Sequence, residues 1–276
     1  MRIIADTATL FAPSEGAAQG MTIVPVSVAI NDRTYQDYTG ISSEEFLAAI
    51  AAGGVPTSSQ PAVGDLLDIF ESDDEEMLVL TVGDGLSGGY QSAMSARNCV
   101  QEPERIHVIN SKTLAGPLRY LAKKAVALKE RGLDIETVKA ELVKSIESSV
   151  SFVIPEDFEF LKRSGRLTPI TAKIGGALKL LPVLTQTEDK TRIKPMAVKR
   201  TWKSAVDAII QRLQVLGVDH EYLISICHAG ACQKAAAVLQ QIRAVFTASE
   251  TELLMLSPAL ITHGGPGCIV VQAIRK

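Results

Sequence analysis

The chain has 276 residues and a formal net charge of −3, with 46% hydrophobic and only 5% aromatic residues. That length accommodates one large domain or two ordinary ones around an ample, mainly aliphatic core. The slightly acidic balance gives no electrostatic case for nucleic acid, which calls for a basic face, and no uninterrupted apolar stretch is long enough to insert stably in a membrane. Four cysteines (Cys99, Cys227, Cys232, Cys268) are scattered without a zinc-like Cys-x-x-Cys pair and read as reduced, mostly buried thiols.

Arg2 to Ala5 reads as a buried strand with Asp6 and Thr7 at its C-terminal end. The aspartate comes too early for a secretion signal, so the expected location is cytoplasmic. Ile23 to Ile30 is β-branched and reads as one strand, which Pro25 pushes toward a sheet edge. Ser42-Ser43-Glu44-Glu45 is a capping box opening a helix that Gly53-Gly54 stops. The loop Val55 to Pro61 leads into a short helix through Phe70, and the acidic run Glu71 to Glu76 reads as a solvated loop. Met77 to Val82 is the next strand, followed by a glycine-rich turn at Ser87 and a helix through Cys99. Ile106 to Ile109 is a further strand ending at Asn110-Ser111, and helices follow at about Pro117 to Arg131 and Asp134 to Ser148. Strands alternating with helices at this spacing predict an α/β fold with a doubly wound, mostly parallel sheet.

The pattern then changes. Val150 to Ile154 is strand-like, and Pro155 opens a helix with Glu156 and Asp157 in its first turn, Lys162 and Arg163 in its last, and Gly165 as its cap. Leu180 to Thr185 and Thr191 to Val198 form a hairpin. A helix from Ser204 to Leu216, a strand at Tyr222 to Cys227, a helix from Cys232 to Phe246, and strands near Leu253 and Ile269 follow. The change predicts an N-terminal α/β domain over 1–150 and a second α/β domain with a β-hairpin over 151–276.

The segment Leu86-Ser87-Gly88-Gly89 places Ser87 where a strand's C-terminal end meets a helix N-terminus. Unpaired backbone N–H groups and the helix dipole suit an anion there. In doubly wound sheets ligands bind beyond the carboxyl ends of strands. Asp6-Thr7, Ser58-Ser59-Gln60, Ser87-Gly88-Gly89 and Asn110-Ser111 are therefore expected to converge on one crevice. Taken singly, Asp6, Thr7 and Ser111 read better as helix caps, whereas the two glycines beside Ser87 allow close approach of a ligand. The chain has no Gly-x-x-x-x-Gly-Lys-[Ser/Thr] loop, which excludes an ATPase reading of Leu-Ser-Gly-Gly, and no Gly-x-Gly-x-x-Gly fingerprint.

Arg166 lies beyond the cap of the Lys162-Arg163 helix, where dipole compensation does not require it, and is the better anion-binding candidate of that group. Lys199-Arg200-Thr201-Trp202-Lys203 is a second basic cluster, either a solvated helix start or a docking patch for an acidic partner. In His263-Gly264-Gly265-Pro266-Gly267 a glycine-proline loop fixes one imidazole, while His107, His220 and His228 read as structural or surface residues. The histidines lack metal-ligand spacing, so no metal and no cofactor is expected.

In this order the segments Asp6-Thr7, Val24-Pro25-Val26, Tyr35-Gln36-Asp37, Pro56-Thr57-Ser58-Ser59-Gln60-Pro61, Leu86-Ser87-Gly88-Gly89-Tyr90-Gln91-Ser92-Ala93 and Asn110-Ser111 resemble those of the DegV family of bacterial fatty-acid-binding proteins. Phe160-Leu161-Lys162-Arg163-Ser164-Gly165-Arg166, Lys199-Arg200-Thr201 and His263-Gly264-Gly265-Pro266-Gly267 continue the match. The resemblance implies a non-enzymatic, two-domain protein holding a long-chain fatty acid in a tunnel between its domains. It implies that Ser58 and Ser87, with Thr57, Ser59 and Gly88, bind the carboxylate. Arg163, Arg166, Arg200 and His263 are placed by it near that carboxylate or on a surface facing a separate fatty acid kinase subunit, which would make an acyl phosphate. Ser58, Gly89, Asp84, Asn110 and Ser164 depart from the family's usual Thr, Thr, Ser, Asp and Gly. Two enzyme readings stand as alternatives: a serine-dependent hydrolase with Ser87 as nucleophile and His263 as base, lacking the Gly-x-Ser-x-Gly elbow, and a sugar- or keto-phosphate enzyme.

Overall fold

A computed structural model describes residues 1–169, 171 and 180–276. The chain opens with β1 (Arg2–Asp6), a 3-10 turn (Thr7–Thr9), α1 (Pro13–Ala18) and β2 (Met21–Val24). β3 (Ser27–Ile30) and β4 (Arg33–Gln36) form a hairpin, followed by α2 (Ser43–Ala51), β5 (Thr57–Ser58) and α3 (Val63–Phe70). Next come β6 (Met77–Thr81), α4 (Gly89–Arg97), β7 (Ile106–Asn110), α5 (Ala115–Glu130) and α6 (Ile135–Ser148).

The expected single strand from Ile23 to Ile30 is two strands in two sheets. Proline has no N–H to give a ladder, and the chain breaks at Pro25 between β2 and β3. β2 stays at the edge of a parallel sheet of order β2-β1-β6-β7, whereas β3 becomes the centre of an antiparallel sheet of order β4-β3-β5. Successive strand residues point to opposite faces. Ile3, Ala5, Leu78 and Leu80 accordingly meet the apolar stripe of α5, and Ile4 and Val79 meet α3 and α4 through Leu66 and Ala93. The doubly wound reading holds for this sheet.

The second part comprises β8 (Val150–Ile154), α7 (Phe158–Ser164), β9 (Leu181–Gln186), β10 (Ile193–Lys199), α8 (Trp202–Val215), β11 (Tyr222–His228), α9 (Cys232–Val245), β12 (Glu250–Met255), α10 (Pro258–Gly264) and β13 (Ile269–Arg275). These strands form one sheet of order β10-β9-β8-β13-β11-β12, antiparallel except between β11 and β12. α7 starts three residues later than Pro155, because extended Asp157 caps it by accepting a hydrogen bond from the Glu159 amide at 2.9 Å.

α8 and α9 cover one face of the six-stranded sheet, while α5 packs against β11 and β13 on the other. That approach is so close that a Cβ on Gly116 would lie 2.3 Å from the Ser225 side chain. The three-stranded sheet joins the two larger ones through a shared apolar cluster in which Val28 and Phe46 meet Ile261 and Val270. Only two of the four thiols, Cys227 and Cys268, are buried; Cys99, in the turn after α4, and Cys232, at the start of α9, are exposed.

Candidate functional site

In the parallel sheet the strand order reverses between β1 and β6, and a crevice forms beyond the carboxyl ends of strands at such a point. Asp6 ends β1, and the turn carrying Ser87 follows β6. A cavity begins there and runs toward the six-stranded sheet, about 1160 Å³ in volume with its open mouth included. Its wall is mostly aliphatic, with polar groups gathered at Asp6, Ser58, Ser87, Arg166 and His263.

Ser58 and His263 meet across the whole sequence, with Ser58 Oγ 2.9 Å from His263 Nε2. β5 pairs with β3 at Val28↔Ser58, and α10 packs against both strands, which aims the imidazole at the hydroxyl. His263 is not on a glycine-proline loop as expected: it occupies the last turn of α10, and the glycines only end that helix. Burial and the nearby Arg166 guanidinium push the His263 pKa down to about 4, so the ring is neutral at pH 7. A neutral ring that donates from Nε2 to Ser58 Oγ leaves the serine's own hydrogen free for a ligand.

Ser87 reaches the same arrangement by another route. Its Oγ accepts from the Gly89 amide at 3.2 Å, and its hydrogen has no acceptor among the described residues. Gly88 is the N-cap of α4, and a Cβ there would approach the Gln60 side chain to 3.0 Å, so glycine lets the two loops close on each other. Arg166 Nε donates to the Leu86 carbonyl at 2.9 Å and its Nη1 to the Ser164 carbonyl. The end of α7 is thereby tied to the Ser87 turn with a cation beside it. Burial lowers the Arg166 pKa, with the Arg192 charge adding to it.

Asp6 was expected as a cap, and its Oδ1 does accept from the Ala8 amide at 2.8 Å. It also lines the cavity. Burial raises its pKa to about 7 against the lowering effect of the Ala8 amide, with the Asp37 charge adding a smaller increase. Asp37 is raised to about 6, chiefly by burial; neither of its oxygens completes a hydrogen bond among the described residues, and the nearby Thr7 and Ser257 hydroxyls offset only part of the cost.

Of the other expected residues, Ser59, Gln60 and Ser164 line the cavity. Thr57 points the opposite way from Ser58 along β5 and is exposed, and Gly88 supports the wall without lining it. Asn110 accepts from the Asp84 and Lys112 amides and shapes the loops rather than the cavity. Arg163 stacks over the Phe160 ring at 4.6 Å on the exposed side of α7, and Arg200 is exposed beside the start of α8. Asp84 binds the Gly85 amide and the Gln91 side chain, so its charge is held out of the cavity wall. The hydrolase pairing of Ser87 with His263 is not formed, since the imidazole bonds Ser58. Asp6 joins Ser58, Ser59, Gln60 and Ser87 in one crevice, as the strand-end loops were expected to; Ser151, Gln186 and Gln272 are cavity residues outside the expected set, and a glutamine inside the apolar run Ile269 to Ile274 was the available signal.

Among the described residues no group of three or more His, Cys, Asp or Glu side chains is arranged to hold a metal, and no helix is long and apolar enough to cross a membrane. An aliphatic cavity with two hydroxyls, a neutral imidazole and a guanidinium gathered in its wall has the chemistry to take an amphipathic acid.

The chain belongs to the DegV family: the model of that family, described as "Uncharacterised protein, DegV family", matches residues 1–276. A DegV domain-containing protein of Clostridium acetobutylicum is 29% identical over 259 residues, 90% of this chain and 88% of that one. One from Lactococcus lactis is 26% identical, covering 100% of this chain and 98% of its own. Among solved structures, a DegV family protein from Thermus thermophilus described for its fatty acid binding is 25% identical with a TM-score of 0.90 over 100% of both chains. A stearic acid-binding protein from Eubacterium ventriosum has the same fold, with a TM-score of 0.88 at 22% identity over 100% of this chain and 99% of that one.

Proposed function

We propose that this protein binds one long-chain fatty acid, with the alkyl chain between an N-terminal domain, 1–150, and a covering C-terminal domain, 151–276, and the carboxylate at Ser58 and Ser87. The observation that carries the reading is the pair of serine hydroxyls, each with its oxygen already accepting or able to accept from a protein N–H, at the mouth of an aliphatic cavity. Such hydroxyls donate to a carboxylate, and Arg166 supplies the compensating charge. Each methylene buried contributes about 0.8 kcal/mol before ordering costs, so the chain supplies affinity and the polar end supplies orientation. The Thermus thermophilus relative, of the same fold and described as binding fatty acid, supports the same ligand here.

The site favours presentation of the acid over its chemical conversion. No carboxylate orients His263, and a ring with a pKa near 4 is a poor general base at neutral pH. A carboxylate held at a mouth flanked by exposed Ser59 and Gln60 is open to a phosphoryl donor brought by another protein. We therefore read the protein as a cytoplasmic carrier that presents the bound carboxylate to a separate, ATP-using fatty acid kinase. Exposed Arg163 and Arg200, with Ser59, are the residues suited to that contact.

Native mass spectrometry of gently purified protein is expected to show one fatty acid per chain. Addition of ATP and a bacterial fatty acid kinase catalytic subunit is expected to convert it to an acyl phosphate. A chain free of lipid that takes up none on incubation with palmitate would overturn the binding reading, and bound acid that the kinase never consumes would overturn the presentation.

A further inference from the structure

The cavity shares a wall with a second cleft. Ser151, Thr185 and Gln186 line the cavity, and they also line a cleft of about 620 Å³, open mouth included, beside Phe152 and Leu216 at the end of α8. Strand pairing accounts for so thin a wall. β8 and β9 pair at Phe152↔Thr185 and Val153↔Leu184, and their ladder ends there. Beyond it β8 stays with β13 at Ser151↔Gln272, while β9 stays with β10 at Gln186↔Ile193. The sheet therefore parts between Ser151 and Gln186, with the cavity and the cleft meeting at the gap.

Side chains close that gap. Thr185 Oγ1 donates to the Ser151 carbonyl at 2.9 Å, a tie where the ladder bond is missing. Gln186 reaches from β9 to the loop after β7: its Nε2 donates to the Lys112 carbonyl at 3.0 Å and to the Lys190 carbonyl at 3.4 Å. Its Oε1 is buried, so the amide is embedded in the wall. Gln272 holds the neighbouring part, donating from Nε2 to Ser151 Oγ at 2.9 Å and to the Leu114 carbonyl at 3.1 Å. Gln272 lies four residues beyond Cys268, roughly 13 Å at the usual rise of a strand. Cys268 in turn packs on Gly264, next to His263, and the apolar pair Val270↔Val153 fills the interval.

We propose that the Gln186 side chain is the stop that limits how long an alkyl chain the cavity takes, and that the cleft beyond it is the space a longer chain would enter. The proposal rests on the fatty-acid reading above and adds a size limit to it. With the carboxylate at Ser58 and Ser87, the alkyl chain follows Val270 and Val153 toward this wall. Each methylene on that track leaves water, whereas one pushed into the wall would displace hydrogen-bonded amides, which is unfavourable. Of the three shared residues, only Gln186 has a side chain long enough to cross from one strand to the next loop. Shortening it joins the two spaces, and Phe152 and Leu216 then offer apolar surface to the methyl end.

Calorimetric titration of delipidated full-length protein with lauric, myristic, palmitic, stearic, arachidic and behenic acids tests this. Affinity of the parent is expected to rise about fourfold per added methylene and then to drop at one chain length. In Gln186→Ala the drop should move to longer acids, with affinity below the limit unchanged. Gln186→Asn, a milder truncation, should move it in the same direction. Gln186→Met keeps the bulk without the amide and should keep the limit of the parent. A parent with no drop up to behenic acid, a drop that neither truncation moves, or one that Gln186→Met moves as far as Gln186→Ala would overturn the proposal and leave the fatty-acid reading standing. Binding of no acid by the parent would overturn both.

Discussion

Ser58 and His263, separated by 205 positions in sequence, lie with Oγ and Nε2 2.9 Å apart. The contact joins the first three-stranded sheet to a helix that follows the last parallel strand pair of the molecule. It converts a hydroxyl of no particular orientation into a donor aimed at a ligand. Ser87, held by the Gly89 amide, is its counterpart.

Loss of either hydroxyl is expected to weaken fatty acid binding without loss of the fold. A hydrogen bond to a charged group contributes about 1.5–3 kcal/mol, so Ser58→Ala and Ser87→Ala should each reduce palmitate affinity by roughly tenfold to a hundredfold. The double variant should lose less than the sum, because the two donors share one carboxylate. Titration of the three variants with palmitate checks this, and additive losses would argue for two separate ligand groups.

Asp6 makes both stability and binding depend on pH. Its folded pKa is raised to about 7 from 3.8, so the folded state holds a proton that the unfolded chain releases. Stability is therefore fully present below the unfolded value and is lost as pH rises through about 7. Asp37, raised to about 6, acts in the same sense. Thermal unfolding between pH 5 and pH 8 should show this decline, and Asp6→Asn should lessen it. Ionised Asp6 also repels a fatty carboxylate in the same cavity, so palmitate affinity should fall over the same range in the parent and not in Asp6→Asn. His263 acts in the opposite sense: its pKa is lowered from 6.5 to about 4 on folding, so its contribution to stability rises with pH up to about 6.5 and is level above it, and it partly offsets the decline below that point.

Gly89 and Gly116 should respond to alanine in opposite directions. Gly89 begins α4 without a positive φ, and a Cβ there finds only ordinary contacts, the nearest at 3.6 Å. Gly89→Ala should raise stability by about 0.4–1 kcal/mol through the unfolded chain. A Cβ at Gly116 would lie 2.3 Å from Ser225, whose short side chain sits on a central strand and cannot move aside. Gly116→Ala should cost about 1–3 kcal/mol or more. Denaturant unfolding of the two variants reads both signs.

The Ser87 turn was legible because a buried strand, a pair of glycines and an amphipathic segment are all local signals. The capping box at Ser42 and Glu45 was legible for the same reason, and both of its hydrogen bonds form. The break at Pro25 was half legible: the missing N–H announced a sheet edge, but which sheet takes β3 is decided by its pairing with β5, as in Val28↔Ser58, far away in sequence. His263 read as a loop residue because Gly264 to Gly267 dominate the local pattern, and α10 is a short helix held by packing against β3 and β5 rather than by propensity. Asp6 read singly as a cap, which it is, and its place on the cavity wall followed only from the convergence of the strand-end loops. The meeting of Ser151, Gln186 and Gln272 on the cavity wall needed the strand register, which no local pattern gives.

Magnetic resonance of palmitate isotope-labelled at its carboxyl carbon, bound to the intact protein, reads the contact of the two serines with the ligand. One bound carboxyl signal is expected at one acid per chain, displaced from its parent position in both Ser58→Ala and Ser87→Ala. A bound signal that neither substitution moves, or no bound signal at all, would contradict it.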